Sequence, residues 1–322
     1  MKDWEVTLQA SLKERRKRYR RALKRCRQRG SEKSVHATRV ETRRLLSLVE
    51  LLNIFIGQTQ LKKTRSQLKQ HLDALRPLRD THVQLLVLSK LAREFPETKG
   101  FHQMLLEREK QCLKAAARRL RGVKIRRLEK VFEGLARQLA RVGAQPAQRT
   151  PHRTAVLRGV QEAFERTVDR QRAMDPGSAN SIHRTRVAFK KFRYMVEALQ
   201  PILLGVTPAR IAALQDFQSM MGDVQDTDVF LARLDKYTRR HHRRARRLAR
   251  FRHWLLRRRT AQITYCLNHA DRLNGFWPLP RQPGGRAEKN GSRRPIPRMH
   301  PVAKQSLNHR RRGLLSKAAK AH

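Results

Sequence analysis

The chain has 322 residues, and 75 Lys and Arg against 26 Asp and Glu leave a formal net charge of +49, which calls for a polyanionic partner. The three cysteines, Cys26, Cys112 and Cys266, form no C-x-x-C pair, and the most apolar stretch, 45–56, is broken by Ser47, Glu50 and Asn53. The expectation is a reduced, cytoplasmic chain with neither signal peptide nor membrane span, and with no cofactor.

A first helix is expected from Trp4 to Arg29, stopped by Gly30, with Ser31 placed to cap the next helix. That second helix, VHATRVETRRLLSLVELL from Val35 to Leu52, ends by Gly57. A third runs from Gln60 to Phe95 through Pro77, which should bend it. A fourth, from Thr98 to Val142, is interrupted at Gly122. GAQPAQRTP, with Pro146 and Pro151, then marks a boundary. Beyond it, helices are expected over His152–Met174, Ser178–Leu204, Pro208–Arg239 and Arg240–Leu273. The run RRHHRRARRLARFRHWLLRRR, Arg239 to Arg259, is the most basic in the chain and suits either a shared anion track or nucleic acid. After Leu273 the Pro, Gly, Lys and Arg composition reads as a disordered basic tail, with a short helix near Leu314. Residues 271–322 hold 13 Lys and Arg and 2 Asp and Glu, so +38 of the charge belongs to the helical body.

The second helix returns as IHRTRVAFKKFRYMVEAL, Ile182 to Leu199. His36 aligns with His183 at an offset of 147 residues, bringing Thr38, Arg39 and Val40 onto Thr185, Arg186 and Val187. A second island, RDTHV at Arg79 to Val83, matches QDTDV at Gln225 to Val229 at an offset of 146. Two islands in nearly one register indicate an internal duplication. At about 100° per residue, His36, Arg39, Arg43 and Arg44 form a cationic stripe opposite Leu45, Leu48, Val49 and Leu52. His183, Arg186, Lys190 and Arg193 form the same stripe opposite Phe189, Phe192, Met195, Val196 and Leu199, with Lys191 beside it. Like charges at this spacing repel, and an anion laid along the stripe offsets the repulsion. A solvated amphipathic face is the plain alternative for either helix taken alone. Neither stripe offers the clustered ligands that zinc needs.

The repeated pattern His-x-x-Arg-Val-x-x-Arg/Lys-Arg/Lys, followed some forty residues later by Arg/Gln-Asp-x-x-Val, resembles the CHAD family, named for a histidine in an α-helical domain. The resemblance spans about residues 4 to 270. It implies an all-α fold of two four-helix bundles related by a pseudo-twofold axis, at 1–145 and 146–273, followed by the tail at 274–322. It also implies binding of inorganic polyphosphate, often on polyphosphate granules. Matched by position, His36, Arg39, Arg43 and Arg44, and His183, Arg186, Lys190, Lys191 and Arg193, are the expected binding residues. Leu46 stands where the second copy has Arg193, and His82 where it has Asp228, which would weaken binding by the first half.

Asp80 and Asp226 are acids in a basic field, and each is expected to hold a motif arginine in place. A local helix cap is the simpler role. Asp223, Asp226 and Asp228 as ligands of Mg²⁺ for hydrolysis is a third, with no counterpart in the first copy except Asp80. Three functions stay open: a non-catalytic polyphosphate binder, a non-specific nucleic-acid binder, and a phosphohydrolase. Competition between polyphosphate and nucleic acid separates the first two, because salt weakens both.

Overall fold

The computed structural model describes residues 4–53, 58–123, 125–144, 149–203 and 205–278. Their regular elements are all helical: α1 (Trp4–Arg29), α2 (Glu32–Leu52), α3 (Gln58–Leu91), α4 (Lys99–Arg121), α5 (Ile125–Gly143), α6 (Arg149–Arg172), α7 (Ala179–Leu199), α8 (Pro208–Arg240) and α9 (His242–Asn268), joined by short 3₁₀ turns. The protein is therefore all-α, as its low aromatic content and helical periodicity imply. No helix among the described residues is long and apolar enough to cross a membrane. The turn at Gly57, the tail from 279 and the helix expected near Leu314 lie outside the described residues.

The helix ends follow local chemistry. Gly30 closes α1 with φ +57 and its amide on the Cys26 carbonyl at 2.9 Å. Any side chain there would also meet Leu113, whose Cδ1 sits 2.1 Å from the position of a Cβ. The Ser34 amide donates to Ser31 Oγ at 3.4 Å, capping α2, and Thr207 followed by Pro208 opens α8 in the same way. The fourth helix divides at Gly122 into α4 and α5. Arg27 of α1 donates to the Leu120 and Val123 carbonyls at 2.5 and 2.7 Å, satisfying acceptors that the break releases.

Packing joins the two halves of the chain. α2 lies against α7, and α3 against α8. One core holds Leu8, Leu45, Leu48 and Phe132 together with Val160, Phe189, Phe192 and Phe217. A second, at the far end of the long helices, joins Leu88, Phe95 and Phe101 to Phe230, Leu234 and Phe251. The boundary near residue 146 thus separates helices but not cores. The folded body also runs past Leu273. Phe276 and Trp277 are buried against Phe189, Phe192 and Phe217, and the Trp277 indole donates to Gln161, so these two aromatics belong to the body and not to the tail.

Candidate anion-binding cleft

The α2/α7 and α3/α8 contacts bring the two stripes to one place. His36, Arg39, Arg43 and Arg44 from α2 and His183, Arg186, Lys190, Lys191 and Arg193 from α7 all line a single cleft of about 1580 Å³, with Asp80 of α3 and Asp226 of α8. The two histidines therefore face the same open space. The lining also includes Arg79 of α3, the first residue of the RDTHV island, and cations outside the motif: Arg76 and Lys69 of α3, Arg166 and Arg170 of α6, and Arg184 of α7. In all, thirteen Lys and Arg line the cleft against six Asp and Glu.

The motif cations divide into two groups by what they already hold. Arg44 Nε reaches Glu197 Oε2 at 3.1 Å, and Lys191 Nζ reaches Glu50 Oε2 at 2.8 Å. In the 147-residue register Arg44 corresponds to Lys191 and Glu50 to Glu197, so each motif helix grips the other through the same pair of positions. Reciprocal contact of this kind is what a twofold relation between like surfaces produces. Arg193 is also engaged: it hydrogen-bonds Gln218 at 2.9 Å, pairs with Glu197 and lies over the Tyr194 ring at 4.2 Å. The motif places Arg44, Lys191 and Arg193 among the phosphate-binding residues; in the structure all three line the cleft while their side chains hold carboxylates that join the motif helices or brace α7.

Arg43, Arg186 and Lys190 have no acidic partner within 4.0 Å among the described residues. Among the described residues Arg39 donates only to the Leu72 carbonyl, at 2.6 Å. These four form the floor rather than an exposed track: Arg39 is 7% and Lys190 9% exposed. Burial, the Arg43 charge and neighbouring arginines pull Arg39 down to about 9 despite the attraction of Asp80. Burial pushes Lys190 well below the ordinary lysine value, with Arg43, Arg186 and Arg39 adding to it. Arg43 and Arg186 are lowered by burial as well. The Arg186 Nε has no hydrogen-bond partner among the described residues. Gly222 gives that guanidinium its room, since a Cβ there would stand 3.3 Å from Nη2. The helix α8 continues through Gly222, as α3 does through Pro77, so clearance for Arg186 is the visible role of the glycine.

Asp80 and Asp226 act on the arginines through space. Asp80 is the principal attractive charge on Arg39, as Asp226 is on Arg186, yet neither closes an ion pair with it among the described residues. Asp80 itself is raised by burial, Arg39 opposing. Enclosure and the neighbouring Asp226 push Asp223 up to about 6. No group of three His, Cys, Asp or Glu among the described residues is placed to hold a metal ion. Enclosure lowers both cleft histidines, with Arg79 next for His36 and Arg186 next for His183.

Comparison with known proteins adds the family. The model of the CHAD domain matches residues 10–235. The chain belongs to the CHAD family. Among solved structures, the crystal structure of the CHAD domain from the plant Ricinus communis superimposes with a TM-score of 0.67 at 19% identity, over 87% of this chain and 94% of that one. PptA from Streptomyces chartreusis gives 0.56 at 16% identity, over 84% of this chain and 100% of that one. Among curated proteins none matches. Within the CHAD motif, the departure at His82 does not reach the cleft. His82 Nε2 meets Glu109 of α4 at 2.9 Å, while Asp228 pairs with Arg259 of α9, so both residues tie a long helix to the one that follows. Leu46 does line the cleft, and it leaves the first half without a counterpart to Arg193 there.

Proposed function

We propose that the protein is a non-catalytic binder of inorganic polyphosphate in the cytoplasm and that it locates to polyphosphate granules. The observation that carries this reading is the cluster of Arg39, Arg43, Arg186 and Lys190, four cations from both motif helices turned into one cleft with no carboxylate in ion-pair contact with them among the described residues. Burying such charges unpaired is costly, and a chain of phosphates supplies the missing counter-charge at short spacing. Arginine takes phosphate oxygens through paired hydrogen bonds, which suits a repeating anion without sequence. CHAD membership supports the same ligand.

The test is competition at fixed salt and matched phosphate concentration. Unlabelled polyphosphate should displace labelled polyphosphate from the cleft at far lower phosphate concentration than RNA or DNA does, and incubation with Mg²⁺ should release no phosphate. Equal displacement by the two kinds of competitor would leave only general affinity for polyanions.

Binding should also take up protons. The free-state values of His36, His183 and Lys190 lie below their ordinary ones, and a bound polyanion favours their charged forms. Affinity therefore rises as pH falls, with the histidine share appearing below about pH 6.5. Protonation of Asp223 near 6 removes a negative charge close to Arg186 and acts in the same direction. Titration calorimetry at pH 6 in buffers of different ionisation heat should give net proton uptake on binding. An affinity unchanged between pH 8 and 6 would take the histidines out of the account.

A further inference from the structure

The most basic run in the sequence does not reach the cleft, whose lining ends at Val229. It forms α9, and its cations are sorted by direction. Taking Arg250 as the reference at about 100° per residue, Arg243, Arg246, Arg247, His253 and Arg257 all fall within about 60° of it. All six are exposed. They make one ridge about 21 Å long from Arg243 to Arg257. The opposite face of α9 is the apolar one, with Leu248, Phe251 and Leu255 buried in the second core. The α9 arginines that do pair with an acid, Arg252 with Asp235 and Arg259 with Asp228, point away from the ridge. The five ridge arginines have no acidic partner among the described residues. Arg250 is braced over the Phe95 ring at 4.9 Å.

We propose that this ridge is a second polyanion site, distinct from the cleft, and that its occupant is the sugar-phosphate backbone of a nucleic acid, bound without regard to sequence. The spacing distinguishes the two sites. Along this single helix the rise is about 4.5 Å from Arg243 to Arg246, about 6 Å from Arg246 to Arg250 and about 10.5 Å from Arg250 to Arg257, with His253 between the last two. Phosphates in a nucleic-acid strand are separated by a sugar and stand farther apart than those of a phosphoanhydride chain, so an open row of single guanidiniums suits them. The cleft instead draws cations from several helices into one enclosure, as a denser anion requires. Trp254 shares this face, but Arg258 lies over its ring and Phe251 stacks on it, so contact falls to the backbone rather than to bases. An anionic membrane fits less well, because the apolar side of α9 is already buried and leaves nothing to insert. A protein with both sites would hold a nucleic acid and polyphosphate together.

The test uses the full chain and a labelled single-stranded oligonucleotide, read by fluorescence anisotropy. The triple variant Arg243→Gln, Arg246→Gln, Arg250→Gln should bind it at least tenfold more weakly at 0.15 M salt. It should also lower the slope of log affinity against log salt by about 2, at roughly 0.7 for each phosphate that the variant no longer neutralises. Its polyphosphate affinity should change less than threefold, and the parent, saturated with polyphosphate, should still bind the oligonucleotide. The substituted side chains are exposed and repel one another, so the unfolding midpoint should not fall. Unchanged oligonucleotide binding by the triple variant would overturn the proposal. So would a parallel loss of both ligands, which would mean diffuse charge. Anionic vesicle binding that the triple variant abolishes while oligonucleotide binding persists would assign the ridge to a lipid surface. Because the oligonucleotide is measured directly, this test is decided whether or not the cleft takes polyphosphate.

Discussion

A double variant, Arg43→Gln with Lys190→Met, is expected to lose polyphosphate affinity by about a thousandfold and yet to unfold at a higher temperature than the parent when no ligand is present. Each side chain stands to give one charge-assisted hydrogen bond to phosphate, about 1.5–3 kcal/mol apiece, and about 1.4 kcal/mol is a factor of ten in affinity. In the free protein the same two groups are enclosed, close to Arg39 and Arg186, and hold no acid. Replacing even a buried ion pair with apolar groups of similar volume is often neutral or gains about 1–4 kcal/mol, and these two cations have no paired attraction to lose. The opposite signs make the experiment decisive. A variant that lost stability and kept its affinity would show that these cations serve the fold.

Removing one acid from the contact between α2 and α7 should be far more damaging than removing its register mate. Glu197 holds both Arg44 and Arg193, and its side chain and that of Arg193 are each only 6% exposed. Glu197→Gln leaves the enclosed Arg193 with no other acid among the described residues, while Arg44 keeps Glu41 at 2.7 Å, and should cost about 3 kcal/mol in a denaturant titration. Glu50 is 19% exposed, and its partners Lys191 and Arg65 are 35% and 38% exposed. Water screens that pair, so Glu50→Gln should cost under about 1 kcal/mol. Equal losses would mean that burial does not set the strength of this contact.

Much of the architecture was legible in the residues. Gly30, Ser31 and Thr207 place helix ends because their chemistry is local, and Gly122 marks the division of α4 from α5. The sharing of both cores was not legible. An apolar stripe states that a helix packs, but not whether its partner lies in the same half. The cleft shows the same limit one residue at a time. Arg43 and Arg44 are neighbours about 100° apart on one helix. Only the direction of α7 determines that Arg44 meets Glu197 while Arg43 turns to the cleft. Arg76, Arg166 and Arg170 carry no sequence signal, because one more arginine offers no contrast in a chain with 75 Lys and Arg. Phe276 and Trp277 did carry a signal: two adjacent aromatics are rare in a chain that is 6% aromatic, and they belong to a core rather than a tail.

The unlike residues His82 and Asp228 take on another meaning once their partners are known. One strut has a base on the long helix and an acid on the next, and the other has the polarity exchanged, as Glu109 and Arg259 show. What persists between the halves there is a relationship, not a letter. Comparing such chains column by column would score the position as drift, whereas comparing couples of columns would recover it as constraint.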